Sequence, residues 1–160
     1  MRNKGFTLIE LIVAMAAFSL IVVAMTGMAF SMIKAQRKSF AIQNTQEAGR
    51  FIMESINKEL RMSSIDSGDS GGNPINLLNI TNPASEIFSY QFDNTNRRLL
   101  RNGEFMSSDN LDVTGDFYIT KTSFPSRSLV TIVMQIKSST GRPDTGSEIY
   151  LQSTVSSRGY

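Results

Sequence analysis

The chain has 160 residues, 16 Lys and Arg against 14 Asp and Glu, a net charge of +2, and neither cysteine nor histidine. That length allows one modest domain with a small core, and the missing residue types exclude disulfides, thiolate nucleophiles, imidazole bases and the usual zinc sites. The basic excess does not indicate nucleic acid as a partner: Arg2 and Lys4 precede Gly5, and without them the balance is 14 (16 − 2) basic against 14 acidic residues.

From Phe6 to Ile33 the side chains are Leu, Ile, Val, Ala, Met, Phe and Gly, interrupted only by Thr7, Glu10, Ser19, Thr26 and Ser31. At about 1.5 Å per residue, roughly 20 apolar residues cross a bilayer core of about 30 Å, so residues 6–33 predict a helix that can span. An ordinary secretory signal has an apolar core of only about 7–15 residues. Glu10 is the one formally charged residue between Lys4 and Lys34. A carboxylate in hydrocarbon costs about 2.5–3.5 kcal/mol on insertion scales, so Glu10 is expected to have a partner.

Residues 34–62 continue without proline and with good helix formers. Ala48, Ile52, Ile56 and Leu60 step by four with Phe51 beside them, while Glu47, Arg50, Glu54, Asn57, Lys58 and Arg61 occupy other faces. This predicts the amphipathic second half of one long helix, with its apolar stripe against a core. Phe40, Phe51 and the strand aromatics are expected in that core.

The run SSIDSGDSGGNP then ends the helix and opens a loop or linker over residues 63–85. Beyond it the period is two. Phe88, Tyr90 and Phe92 alternate with Ser89 and Gln91; DNTN at 93–96 makes a turn; Leu99 and Leu100 sit in a return strand closed by Asn102-Gly103. Val130, Ile132, Met134 and Ile136 mark a clear strand, and a later one carries Ile149, Leu151 and Val155 on one face and Tyr150, Gln152 and Thr154 on the other. LDVTGDFYIT at 111–120 is a weaker strand signal. The fold class is therefore α+β: a long N-terminal helix packed on a small antiparallel sheet of four or five strands formed by residues 86–160. Asp66 with Asp69, and Asp144 with Glu148, offer oxygens of the kind calcium takes, but neither pair has EF-hand spacing. They are read as solvated loop acids, and no metal or cofactor is expected.

Lys4-Gly5-Phe6-Thr7-Leu8-Ile9-Glu10, the apolar helix behind it and the strand-rich tail resemble the type IV pilin superfamily, closely over residues 1–60 and in architecture beyond. The tail is most similar to a minor pilin or pseudopilin of the PilW type, through YQFDNTNRRLLRNG and the closing strand that ends in VSSRG. The resemblance implies that residues 1–5 are a prepilin leader, cut after Gly5 by a prepilin peptidase that also N-methylates Phe6. Residues 6–33 then serve as membrane anchor and later as filament core. The precursor is expected in the bacterial inner membrane, N-terminus cytoplasmic and head outside, and the mature subunit in a pilus or pseudopilus. Its partners would be other pilin subunits, the inner-membrane assembly platform and, before assembly, membrane lipid.

In that scheme Arg2 and Lys4 hold the leader on the cytoplasmic side, and Glu10 is an assembly residue whose partner is the Phe6 amine of its own or a neighbouring subunit. Retention of Glu10 argues for a place just below the filament tip, as an initiator of assembly. Three features depart from the family pattern. Gly27 stands near where many members carry a helix-breaking proline, the stapling disulfide is missing, and Lys34, Arg37 and Lys38 follow the span on the side expected to be external. These cations are expected against lipid headgroups before assembly, against acids of another subunit after it, or as a solvated face. Two other readings share the N-terminus in whole or in part: a type II secretion pseudopilin, and a plain single-span anchored binding domain. An enzyme is not expected, since no paired carboxylates or phosphate-cradling Gly loop stand in a fitting context.

Overall fold

Thr7 starts the helix. Its extended backbone (φ −83°, ψ 153°) and its hydroxyl cap α1 (Leu8–Met62), which runs unbroken for 55 residues, about 80 Å at 1.5 Å per residue. The computed structural model describes residues 5–123, 126–139 and 146–157. Eight strands follow α1 among them: β1 (Ser64–Ile65), β2 (Leu77–Thr81), β3 (Ile87–Asp93), β4 (Arg98–Arg101), β5 (Glu104–Phe105), β6 (Leu111–Ser123), β7 (Ser126–Ser138) and β8 (Glu148–Ser156).

These strands form two antiparallel sheets, where the sequence predicts one. A five-stranded sheet runs β1-β2-β3-β4-β5 and a three-stranded sheet β6-β7-β8. The weakest strand signal, 111–120, lies in β6, one of the two longest strands, paired with β7 from Leu111↔Ser138 to Ser123↔Ser126. Its alternation of buried Leu111, Val113, Phe117 and Ile119 is interrupted at Gly115, where a Cβ would lie 3.0 Å from the Phe92 ring and 2.4 Å from the Val133 carbonyl oxygen. Phe92 fills that gap from the other sheet, with its ring 4.7 Å from Phe117. The two sheets are also stitched by backbone: Ile75 and Phe117 exchange hydrogen bonds of 2.9 and 2.8 Å, and the Val113 N–H donates to the Arg97 carbonyl at 2.9 Å.

Residues 63–85, expected as a linker, hold β1 and β2, with Leu78 and Ile80 fully buried. Their apolar alternation is only three residues long, split by Asn79, too short to register as a strand in the sequence. The helix face also differs. The residues buried against the three-stranded sheet are Thr45, Gly49, Ile52, Met53, Ile56 and Leu60, whereas Phe40 and Phe51, expected in the core, are 64% and 63% exposed. At about 100° per residue Phe51 and Phe40 fall on the back of the helix. Gly49 lets the backbone approach the sheet: a Cβ there would meet Leu151 Cδ1 at 2.7 Å. Ile52, Ile56 and Leu60 join Val130, Ile132, Met134, Ile136, Tyr90, Phe92 and Leu99 in one contiguous core.

Candidate functional site

At the helix start, Thr7 and Glu10 satisfy each other. The Thr7 backbone N–H donates to Glu10 Oε2 at 2.9 Å, its hydroxyl donates to the same oxygen at 3.0 Å, and the Glu10 N–H donates back to Thr7 Oγ1 at 3.4 Å. This is a capping box, which fills two of the orphan donors of a helix start and sets a carboxylate at the positive end of the helix dipole. Thr-x-x-Glu is written in the sequence at 7–10, whereas the expectation drawn from the sequence pairs Glu10 with the Phe6 amine and gives Thr7 no role. In the uncut chain the partner of Glu10 is therefore Thr7. Both Thr7 bonds fall on Oε2, and Oε1 takes none among the described residues. A cut after Gly5 would place a new ammonium on Phe6, one residue before the cap that Glu10 already holds. Gly5 itself is open, with nothing within 4 Å of where a Cβ would sit. The leader charges Arg2 and Lys4 lie outside the described residues.

From Gly5 to Phe40 every residue is exposed, and the helix is long and apolar enough to cross a membrane. Two of its internal hydroxyls return to their own helix: Ser19 Oγ donates to the Met15 carbonyl and Thr26 Oγ1 to the Val22 carbonyl, both at 2.8 Å. Thus the polar side chains Ser19 and Thr26 need no outside partner in an apolar medium. Helix geometry runs unbroken through Gly27, where a side chain would meet nothing within 4 Å. The head begins at Ala41, whose carbonyl oxygen lies 2.7 Å from Thr45 Oγ1 and 2.9 Å from Ser147 Oγ; the two hydroxyls also touch each other, so one donates to the carbonyl and the other either joins it there or donates to its fellow hydroxyl. Lys34, Arg37 and Lys38 lie exposed below that edge.

A second cluster joins the helix to the five-stranded sheet. Glu59 Oε2 accepts from the Tyr90 hydroxyl at 2.6 Å, and Glu59 Oε1 from Arg101 Nη2 at 3.0 Å. The Arg101 guanidinium lies 4.6 Å from the centre of the Phe88 ring. Burial, reinforced by the Glu59 carboxylate, holds the Tyr90 phenol above its ordinary pKa. No sequence signal links these residues, which are 31 and 42 positions apart. On the other side of the helix, Gln43, Gln46, Glu47, Arg50 and Glu54 line a groove of about 650 Å³ against Ile149 and Leu151.

Of the four loop acids considered for calcium, the three among the described residues are taken up by protein donors. Asp66 accepts from the Thr81 hydroxyl, and Asp69 accepts from the Gly71 N–H at 2.8 Å and the Lys121 N–H at 3.2 Å. Glu148 Oε1 accepts from the Tyr150 hydroxyl at 2.5 Å and Gln135 Nε2 at 2.6 Å. Asp144 lies outside the described residues. Among the described residues no three Asp or Glu side chains converge in a metal-holding group.

Residues 1–26 match the family model described as the prokaryotic N-terminal methylation motif. No curated protein and no solved structure matches the chain. The matched segment contains the Gly5–Phe6 bond, the capping box and most of the apolar run, and behind it one long helix packs on antiparallel sheets in the type IV pilin-like layout. Residues 1–26 thus carry a class III N-terminal methylation signal of the kind found on type IV pilin and pseudopilin precursors, and the long apolar helix and the layout behind it fit a membrane-anchored precursor of that kind.

Proposed function

We propose that this chain is a minor pilin of a type IV pilus, most like the PilW type, with a structural role in filament assembly and no catalytic one. The leader is cut between Gly5 and Phe6, Phe6 is N-methylated, and the head is carried outside on α1. The observation that carries the reading is the contrast along one helix. Its first 33 residues, Leu8–Phe40, are exposed on every side and mostly apolar, whereas the remaining 22 (55 − 33) are half sunk in the head. An all-round apolar helix must be enclosed by lipid or by other apolar helices, and a bundle of such helices is a filament core.

Glu10 supplies the selectivity for that bundle. Leaving it without a cationic or hydrogen-bonding partner in a low-dielectric core is strongly unfavourable, so a neighbour that offers an ammonium is preferred at one axial register. The PilW subtype rests on the strand-turn-strand from Tyr90 to Gly103 and on the closing strand β8. The deciding experiment is intact mass and N-terminal sequencing of the protein from its native membrane, beside a Glu10→Ala strain scored for incorporation into filaments. The expected result is a chain that starts at Phe6, carries one extra methyl and loses incorporation on substitution. Retention of Met1 with unaltered behaviour of Glu10→Ala would overturn the proposal.

A further inference from the structure

Lys34, Arg37 and Lys38 stand on the side of the span that carries the head, against the usual placing of Lys and Arg on the cytoplasmic side. No acid occurs between Glu10 and Glu47 in the sequence. Among the described residues, neither Arg37 nor Lys38 enters an ion pair. Their direction follows from helix geometry. Taking Ile52 as zero and about 100° per residue, Lys34, Arg37 and Lys38 lie at about 0°, −60° and +40°, while the head-facing Thr45, Gly49, Ile56 and Leu60 lie at about +20° to +80°. The cations therefore point to the same side as the head and sit beneath it. Their height is fixed too: Lys38 is about 4.5 Å and Lys34 about 10 Å below Ala41, where the head begins. The run Leu8–Ile33 has about 39 Å of helix for a hydrocarbon core of about 30 Å, so the first residue past it belongs to the headgroup layer.

We propose that Lys34, Arg37 and Lys38 form a collar that binds the phosphates of anionic phospholipid headgroups in the ledge between the membrane surface and the underside of the head. The inference rests on the filament-subunit reading, in which the head lies outside the membrane that α1 crosses. Three cations on one arc of about 100° give phosphate a surface of complementary charge, and the head above limits that surface to the outer leaflet. Glu47 and Glu54, at about −140° and −160°, face away, and Glu148, next to the Ser147 that bonds Ala41, is taken up by Tyr150 and Gln135. The collar fixes how far the helix is drawn through the bilayer before extraction.

The test uses the full chain reconstituted into vesicles of phosphatidylglycerol and phosphatidylcholine in equal parts. Resistance to alkaline extraction is measured first, and its failure would count against the span itself and not against the collar. The lipid retained by the protein in mild detergent is then compared between wild type and Arg37→Gln/Lys38→Gln. A cation near an anionic surface is worth about fivefold in binding, so the double variant is expected to lose about 25-fold of the preference for phosphatidylglycerol. The near-ultraviolet circular dichroism of the head should stay unchanged, and excess glycerol 3-phosphate should not displace the lipid. Equal retention by both proteins, the absence of a wild-type preference for phosphatidylglycerol, or displacement by glycerol 3-phosphate would each overturn the proposal. Loss of filament incorporation with unaltered lipid retention would also overturn it, and would give the cations to an acidic surface of another subunit.

Discussion

Substituting Glu59 by Ala removes the carboxylate that joins α1 to the five-stranded sheet. The Tyr90 side chain is fully buried, and its hydroxyl loses its acceptor; Arg101 also reaches that oxygen but only as a donor. An unpaired buried hydroxyl costs about 1–3 kcal/mol. The ion pair to Arg101, with side chains 31% and 36% exposed, adds only about 0.2–1 kcal/mol after solvent screening. The sum, about 1–4 kcal/mol, lowers the melting temperature of a 160-residue chain by roughly 2–4 °C for each kcal/mol. The assay is denaturation of the full chain in detergent, followed by the near-ultraviolet circular dichroism of the tyrosines. Glu59→Gln keeps an acceptor for Tyr90 and should cost less than Glu59→Ala. Tyr90→Phe removes the need for one, so Glu59→Ala/Tyr90→Phe should be less destabilised than the two single effects added. Strictly additive effects, or a Glu59→Ala change within about 0.5 kcal/mol of zero, would refute the reasoning. The phenol gives a further check of sign. Its folded pKa is raised, so its contribution is intact below the unfolded value of about 10 and is lost as pH climbs above it; Tyr90→Phe should remove that alkaline loss.

Gly115→Ala should destabilise by about 1–3 kcal/mol, because the new Cβ meets a backbone oxygen and the Phe92 ring. Gly27→Ala, with nothing to meet, should instead firm the helix by about 0.5–1 kcal/mol, and amide exchange across residues 23–31 reads the change. The Gly71 and Lys121 N–H groups hold Asp69 below the usual carboxylate range, so its contribution is present above about pH 4 and fades as pH falls through the depressed value. Hydrogen exchange at those two amides should accelerate in that acid range in wild type and show no such step in Asp69→Asn. Thr7→Val removes both hydroxyl bonds of the cap, costs about 1 kcal/mol of local helix stability, and should raise exchange at the first turn, Leu8 to Leu11, while leaving the head unchanged.

Legibility in the sequence followed the length of the repeating signal. The helix was readable because its apolar run and its later stripe extend over many turns, and β7 because four buried residues alternate without a break. β2 was hidden by its shortness, and the signal of β6, read as a weak strand, is thinned by Gly115, whose missing side chain is explained only by Phe92 arriving from the other sheet. The apolar stripe of Ile52, Ile56 and Leu60 is the buried face, and only Phe51 beside it and Phe40 are misassigned. A step of about 100° sends a side chain from the core to the back of the helix, and composition alone does not mark which phenylalanine takes which side. The Glu59 cluster was illegible because its members come from different elements. The capping box was legible and overlooked, since a charge inside an apolar run draws attention to the membrane before the backbone.

The collar and the cap together bear on what Glu10 costs before assembly. In the proposed orientation, with Lys34 held in the outer headgroup layer, about 30 Å of hydrocarbon reaches back some 20 residues, to about Ala14. Glu10 then lies about 6 Å beyond the core, in the inner interfacial layer, and its cap with Thr7 is exposed to water and headgroups. The penalty for a carboxylate in hydrocarbon is thus largely absent while the subunit waits in the membrane. It arises on extraction, when the first turn is drawn into a core of apolar helices and the water around the carboxylate is lost. The Thr7 bonds are neutral donors, weaker than a charged one, so a methylated ammonium from a neighbouring Phe6 is favoured as the dielectric falls. Slippage of the helix by one turn towards the outer side would bring Glu10 to the edge of the hydrocarbon and charge the cost too early. The cations beneath the head and the carboxylate at the helix start are therefore two ends of one length constraint, and removing the collar should enlarge the effect of Thr7→Val on the membrane-borne subunit beyond its effect in the wild-type chain.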